Sequence, residues 1–258
     1  MRKHLTLIFA LGALVALSVA GIASAEKPTV VRAGNLILTL NGSISPKALS
    51  KTTPTPITLS ASAKIATVDG THPPAVESFV VETDKNGAIN TTGLPTCTDG
   101  ALENSDTKTA EKACPTAIVG KGKTSVQVEF AESTPFNATG PLVVFNGGTK
   151  GGVTTLFVHA YVAVPAPTAI VTTVKITKIH NGRYGMKASG SIPKIAGGFG
   201  SVTSFELSLN RKYTYKGKKL SYLTAKCPDG HLNAKGTAKF KDGTTVFGSI
   251  VRKCTPKG

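Results

Sequence analysis

Apolar and polar positions alternate through most of this chain. Leu36, Leu38 and Leu40 fall on one side of such a run, as do Ile57, Leu59, Ala61, Ala63 and Ile65. A period of two places these residues on one face of a β-strand. The same pattern marks strands at 77–83, 124–130, 142–145, 155–164, 170–179 and 183–192, then at 202–215, 220–227, 234–240 and 245–252. The one helical candidate is 101–113, ALENSDTKTAEKA, a polar and charged surface excursion.

Turn chemistry separates the strands. Asn86-Gly87, Asn181-Gly182, Lys216-Gly217 and Asp242-Gly243 are hairpin signals. Strands that follow one another through short turns, with little helix between them, predict an all-β fold. Antiparallel sheets would pack as a β-sandwich or jelly roll, one sandwich or two. Pro165-Ala-Pro167 marks either a sub-boundary near 165–168 or a kink between consecutive strands.

The first 25 residues change the picture. Arg2 and Lys3 precede an apolar run from Leu5 to Ala20, and Ala23-Ser24-Ala25 has the small residues of a cleavage site. This is the pattern of a secretory signal peptide over 1–25. The run is short for a membrane span, which needs about 20 apolar residues. The mature chain is expected to be 26–258, exported, free of transmembrane segments, and either secreted or wall-associated.

Export gives the four cysteines a reading. Cys97, Cys114, Cys227 and Cys254 are even in number, which in an exported chain indicates disulfides. Three pairings are possible, and the sequence-local one is expected: Cys97 with Cys114, and Cys227 with Cys254. The alternatives are metal binding or reactive thiols, but there is no Cys-x-x-Cys spacing.

The stretch AIVGKGKT, 117–124, falls one residue short of a phosphate-binding P-loop, with Ala117 where the first glycine belongs. A P-loop leads from a strand into a helix. Here Val126, Val128 and Phe130 continue as a strand. The match is read as chance, with Gly120 and Gly122 as a bend into that strand.

GLPTC (93–97), ACPTAIVGKG (113–122), YLTAKCPDGHL (222–232), FKDGT and the closing Cys254 form a set. The set, with its C-P-x-A-x-V-G-x-G element, resembles an uncharacterised family of secreted β-rich proteins from high-GC Gram-positive bacteria. The resemblance implies export and a β fold, and carries over no catalytic residue.

Charge is uneven. Residues 26–168 hold eleven Lys/Arg and eleven Asp/Glu, whereas 169–258 hold seventeen Lys/Arg against Glu206, Asp229 and Asp242. Removing Arg2 and Lys3 from the whole-chain +16 leaves +14, all of it in the second half. Strand alternation over 205–216 and 234–241 turns Lys212, Lys216, Lys235, Lys239 and Lys241 outward, with Lys218 and Lys219 at a hairpin tip. These seven lysines are the candidate polyanion-binding residues. Solubility and edge protection are the bland reading of the same pattern. Suitable partners are anionic wall polymers, acidic glycans or lipid headgroups. Export makes nucleic acid a minor option.

Catalytic chemistry is thinly represented. His72, His159, His180 and His231 are scattered, with no His-Glu-x-x-His or Gly-x-Ser-x-Gly pattern. Glu82 and Asp84 share a strand face, but nothing in the sequence pairs them with Glu129 or Glu132 across a sugar bond. No metal or other cofactor is implied. The expectation is a non-enzymatic binding protein of the cell surface. A carrier enclosing a hydrophobic ligand is the first alternative, and a glycan-active jelly-roll enzyme the second.

Overall fold

The computed structural model describes residues 26–163 and 166–258. The signal peptide expected over 1–25 and Pro165 of the proline kink lie outside the described residues. The first strands are β1 (Thr29–Ala33), β2 (Leu36–Ser45), β3 (Ala48–Ser50), β4 (Thr55–Pro56), β5 (Thr58–Thr67), β6 (Val76–Asp84) and β7 (Gly87–Ile89). After helix α1 (Thr107–Ala113) come β8 (Ile118–Val128), β9 (Phe136–Lys150), β10 (Val153–Val162), β11 (Thr168–Asn181) and β12 (Tyr184–Ser191). The chain continues with β13 (Gly200–Leu209), β14 (Lys212–Tyr215), β15 (Lys218–Ser221) and β16 (Leu223–Ala225). It ends with β17 (His231–Phe240), β18 (Thr245–Lys253) and β19 (Thr255–Lys257).

The fold is all-β and its main sheet is antiparallel throughout. Twelve strands form that sheet, in the order β1-β2-β5-β13-β8-β9-β10-β11-β12-β6-β17-β18. It curls until its edge strands come together. A Cβ added to Gly248 in β18 would lie 2.7 Å from Leu40 Cδ1 in β2 and 3.4 Å from Val31 Cγ2 in β1. Inner faces from opposite parts of the sheet therefore meet in one core, as they would in a sandwich. Strands from the neutral and the basic halves of the chain interleave. β13 lies between β5 and β8, and β6 lies between β12 and β17.

The core explains the alternation. Val144, Leu156, Val174 and Ile176 point inward from β9, β10 and β11, and meet Ile44 from β2 and Val119 from β8. At the other end of the sheet, Leu36, Leu38 and Ile65 pack on Val76, Phe240 and Val246. No helix among the described residues is long and apolar enough to cross a membrane.

Three small sheets close one end: β3 with β19, β4-β16-β7, and β14 with β15. They bring Leu49, Ile57, Tyr222, Leu223 and Ala225 into the main cluster, together with both halves of the Cys227–Cys254 disulfide. Tyr222 is 0% exposed, and burial pushes its phenol up. The stretches 202–215 and 220–227, each expected as one strand, are both broken here. Asn210-Arg211 ends β13 before β14 starts, and Tyr222 separates β15 from β16. The breaks let the chain leave the main sheet and turn over its end.

The excursion between Cys97 and Cys114 is tied by the second disulfide, Cα to Cα 5.6 Å. It contains α1, whose N-cap Asp106 accepts from the Thr109 N–H at 2.7 Å. Its polar sequence suggested a surface excursion, but it also buries a small core. Leu102 and Ala110 pack on Val143, Phe145 and Phe157, which face outward from β9 and β10. Residues 142–146 are therefore buried on both faces of their strand.

Candidate functional site

The closing sheets and their flanks gather a group of unpaired lysines. β14 and β15 form a hairpin whose two-residue turn is Lys216-Gly217, with φ of 48° and 72°. Two consecutive positive φ values are the geometry of a type I′ turn. The hairpin stands on residues 90–92, where Tyr213 Oη donates to Thr92 O at 3.0 Å and Asn90 N donates to Tyr222 O at 2.9 Å. Lys212, Lys216, Lys218 and Lys219 are all exposed on it.

Further lysines come from distant parts of the chain. β19 runs parallel to β3, and Lys51 N donates to Lys257 O at 3.1 Å. Thr255 N donates to Lys47 O at 2.8 Å, and Cys227 N to Ser50 O at 2.9 Å. These contacts gather Lys47, Lys51, Lys226, Lys253 and Lys257 at the same end as the hairpin. Among the described residues, Lys47 has Glu26 at 3.7 Å. The other eight have no carboxylate oxygen within 4.0 Å.

The remaining sequence candidates separate from this group. β17 begins at the capped end, where His231 pairs with Lys253, and runs for ten residues, ~30 Å, to Phe240. Lys239 pairs opposite Ser78, and Lys241 N donates to Ala75 O at 2.9 Å, so both lie at the far end. Lys235 lies between the two ends and is occupied. Its Nζ is 3.1 Å from Glu82 Oε2 and 4.4 Å from the centre of the Tyr184 ring. The seven lysines thus do not form one surface. Four belong to the cap, and five that the strand pattern did not mark join them.

Several of the groups considered for catalysis are held in structural roles. Glu82 also accepts from Asn181 Nδ2 at 2.9 Å. Asp84 is 3% exposed and accepts from Arg183 Nε at 2.7 Å and from Asn233 N at 3.0 Å. Arg183 also pairs with Asp229, whose carboxyl is held below the usual range by that hydrogen bond. Glu129 and Glu132 lie beyond the end of β8, at the far end from Asp84. His159 is 0% exposed beneath the excursion, its Nε2 2.9 Å from Ser105 O. His72 Nε2 lies 3.1 Å from Ser201 Oγ, and its Nδ1 lies 3.0 Å from Gln127 Oε1. This Ser–His–Gln chain has the order of a hydrolytic triad. Ser201 is only 2% exposed, so its hydroxyl has no open side for a substrate, and the chain pins residues 71–74 to β13 and β8. Among the described residues no cluster of three or more His, Cys, Asp or Glu side chains is placed to hold a metal ion.

Ala117 of the P-loop-like stretch ends a short turn, and the rest lies in β8, whose register against β9 shifts between Ile118 and Gly120. No helix follows it. Gly122 is needed where β8 meets β13, since a Cβ there would lie 1.8 Å from Glu206 O. Gly122 answers to a close approach between strands rather than to a bend, whereas Gly120 lies at the register irregularity where the strand begins.

Comparison with protein-family models, curated proteins and solved structures finds no match for the chain.

Proposed function

We propose that this is an exported, non-enzymatic protein that binds acidic polymers of the cell envelope through the lysine-bearing cap. The observation that carries the reading is the gathering of nine lysines from four separate chain segments at one end, eight of them without a carboxylate partner among the described residues. Unpaired like charges repel one another. A polymer with repeating phosphate or carboxylate groups would neutralise several of them at once. The two disulfides and the signal-like leader support export. Secretion or attachment near the wall, and similarity to the secreted β-rich family, belong to the same proposal.

The test is retention on immobilised glycerol-phosphate polymer or heparin during a salt gradient. The Debye length shrinks from ~10 Å at 0.1 M to ~3 Å at 1 M, so bound protein should elute as salt rises. A variant with Lys212, Lys216, Lys218 and Lys219 changed to Gln should elute earlier than wild type. Equal elution would assign these lysines to solubility alone.

A further inference from the structure

A second surface lies on the outer wall of the main sheet, beside its capped end. Four strands, β2, β5, β13 and β8, enclose an open trough of about 460 Å³ there. That lies within the usual range for small-molecule sites. Strand register fixes its lining in two rows. Ser43, Ser60, Ser208 and Lys121 form one, and Asn41, Ser62, Glu206 and Lys123 form the other. The row between them, Gly42, Ala61, Leu207 and Gly122, belongs to the inner face, toward which Ala61 and Leu207 point. The trough exists because the outward side chains at its centre are serines, while longer ones stand at its end.

The chemistry of the lining is specific. Lys121 Nζ is 2.6 Å from Glu111 Oε1 in α1, and Lys123 Nζ is 3.5 Å from Glu206 Oε2. Both lysines are neutralised, so the trough carries balanced charge, unlike the cap. Its floor offers hydroxyls that meet one another only loosely, Ser60 Oγ reaching Ser208 Oγ at 3.5 Å. Each hydroxyl can donate one hydrogen bond and accept two. Asn41 Oδ1 already accepts from Gly42 N and Arg252 Nη2, both at 2.9 Å, which leaves its NH2 as the free donor. Three strand spacings separate β2 from β8, so the rows run for about 14 Å.

From this lining we infer that the trough binds a neutral, linear glycan. Sugar hydroxyls both donate and accept, which matches the serines and Asn41. Balanced charge favours an uncharged chain over a polyanion. The length suits a few consecutive rings rather than a single small molecule. The inference does not rest on the cap reading, and it gives the AIVGKGKT stretch a place. Gly122 lets β8 lie close to β13, and Lys121 and Lys123 close one end of the trough.

Titration with soluble cellohexaose, laminarihexaose and chitohexaose tests the inference. At least one should bind saturably, with affinity unchanged between ~0.1 M and ~1 M salt, because no net charge is screened. Ser62→Tyr would fill the floor from the solvent side and should weaken that binding at least ~10-fold. The triple variant S60A/S62A/S208A should weaken it as well, and it guards against a misfolded tyrosine variant. The cap variant with four Lys→Gln changes should bind as wild type does. Failure of all three sugars to bind, or binding that survives both trough variants, would overturn the inference and leave the cap proposal untouched.

Discussion

Asp84 and Arg183 show how single residues hold the frame. Arg183 follows the Asn181-Gly182 turn and reaches Asp84, Asp229 and the His231 carbonyl, joining β12, β6 and β17 at the capped end. Arg183→Gln should destabilise by roughly 1–3 kcal/mol. Asp84 would lose its charged partner but keep the N–H groups of Asn86 and Asn233. The loss should show in urea unfolding at neutral pH. Arg183 also depresses the Asp229 carboxyl. A depressed carboxyl stabilises the fold at pH values above its unfolded value of about 3.9, and that contribution fades as pH falls through the lower, folded value. Wild type should therefore lose stability below pH ~4 more steeply than Arg183→Gln does. Parallel acid limbs would argue against the pairing. Gly122 and Lys123 make the opposite contrast within one motif. Gly122→Val must displace the β13 backbone and should cost at least ~2 kcal/mol. Lys123→Ala removes only an exposed pair with Glu206, and should change stability by less than ~1 kcal/mol. ATP should not raise the melting temperature of either wild type or Lys123→Ala.

At the scale of elements, strands that alternate cleanly were legible. The runs 58–67, 168–181 and 245–253 match their expected places closely because each has one buried and one wetted face. β9 was under-read. Val143 and Phe145 on its outer face are covered by the excursion, so a continuous apolar run replaces alternation there. The excursion itself looked polar because α1 contributes only Ala110 to that core, with Leu102 before it. The stretch 205–215 alternates without interruption, and only tertiary contact shows that it breaks at Asn210. The local disulfides were legible from parity and spacing, and each clips an element that the main sheet does not hold. Replacing Cys227 and Cys254 with Ser should cost about 3 kcal/mol. It should also expose the amides of β19 and β3 first in hydrogen exchange, before those of β9 and β10. Simultaneous exchange of all four strands would show that the cap is not a separate unit.

For the whole molecule, the excess of charge was legible in the sequence but its position was not. A strand pattern tells which side a lysine faces, not which end of the sheet it occupies. Lys239 and Lys235 are close in sequence and on one strand, yet neither belongs with Lys212. Lys51 and Lys257 lie near opposite ends of the described chain, yet the β3–β19 pairing makes them neighbours. The trough was equally hidden, since Ser208 of β13 joins the serines of β2 and β5 from 148 residues beyond Ser60. Position, rather than total charge, is therefore what the proposed function depends on. The most direct measurement compares two variants of equal net charge for affinity to a glycerol-phosphate polymer at ~0.1 M salt, where the Debye length is ~10 Å. One carries Gln at cap residues Lys212, Lys216, Lys218 and Lys219. The other carries Gln at Arg32, Lys194, Lys239 and Lys241, all exposed and toward the far end. The cap variant should bind at least ~10-fold more weakly, with the far-end variant close to wild type. Equal affinities for the two would contradict a binding site at the cap.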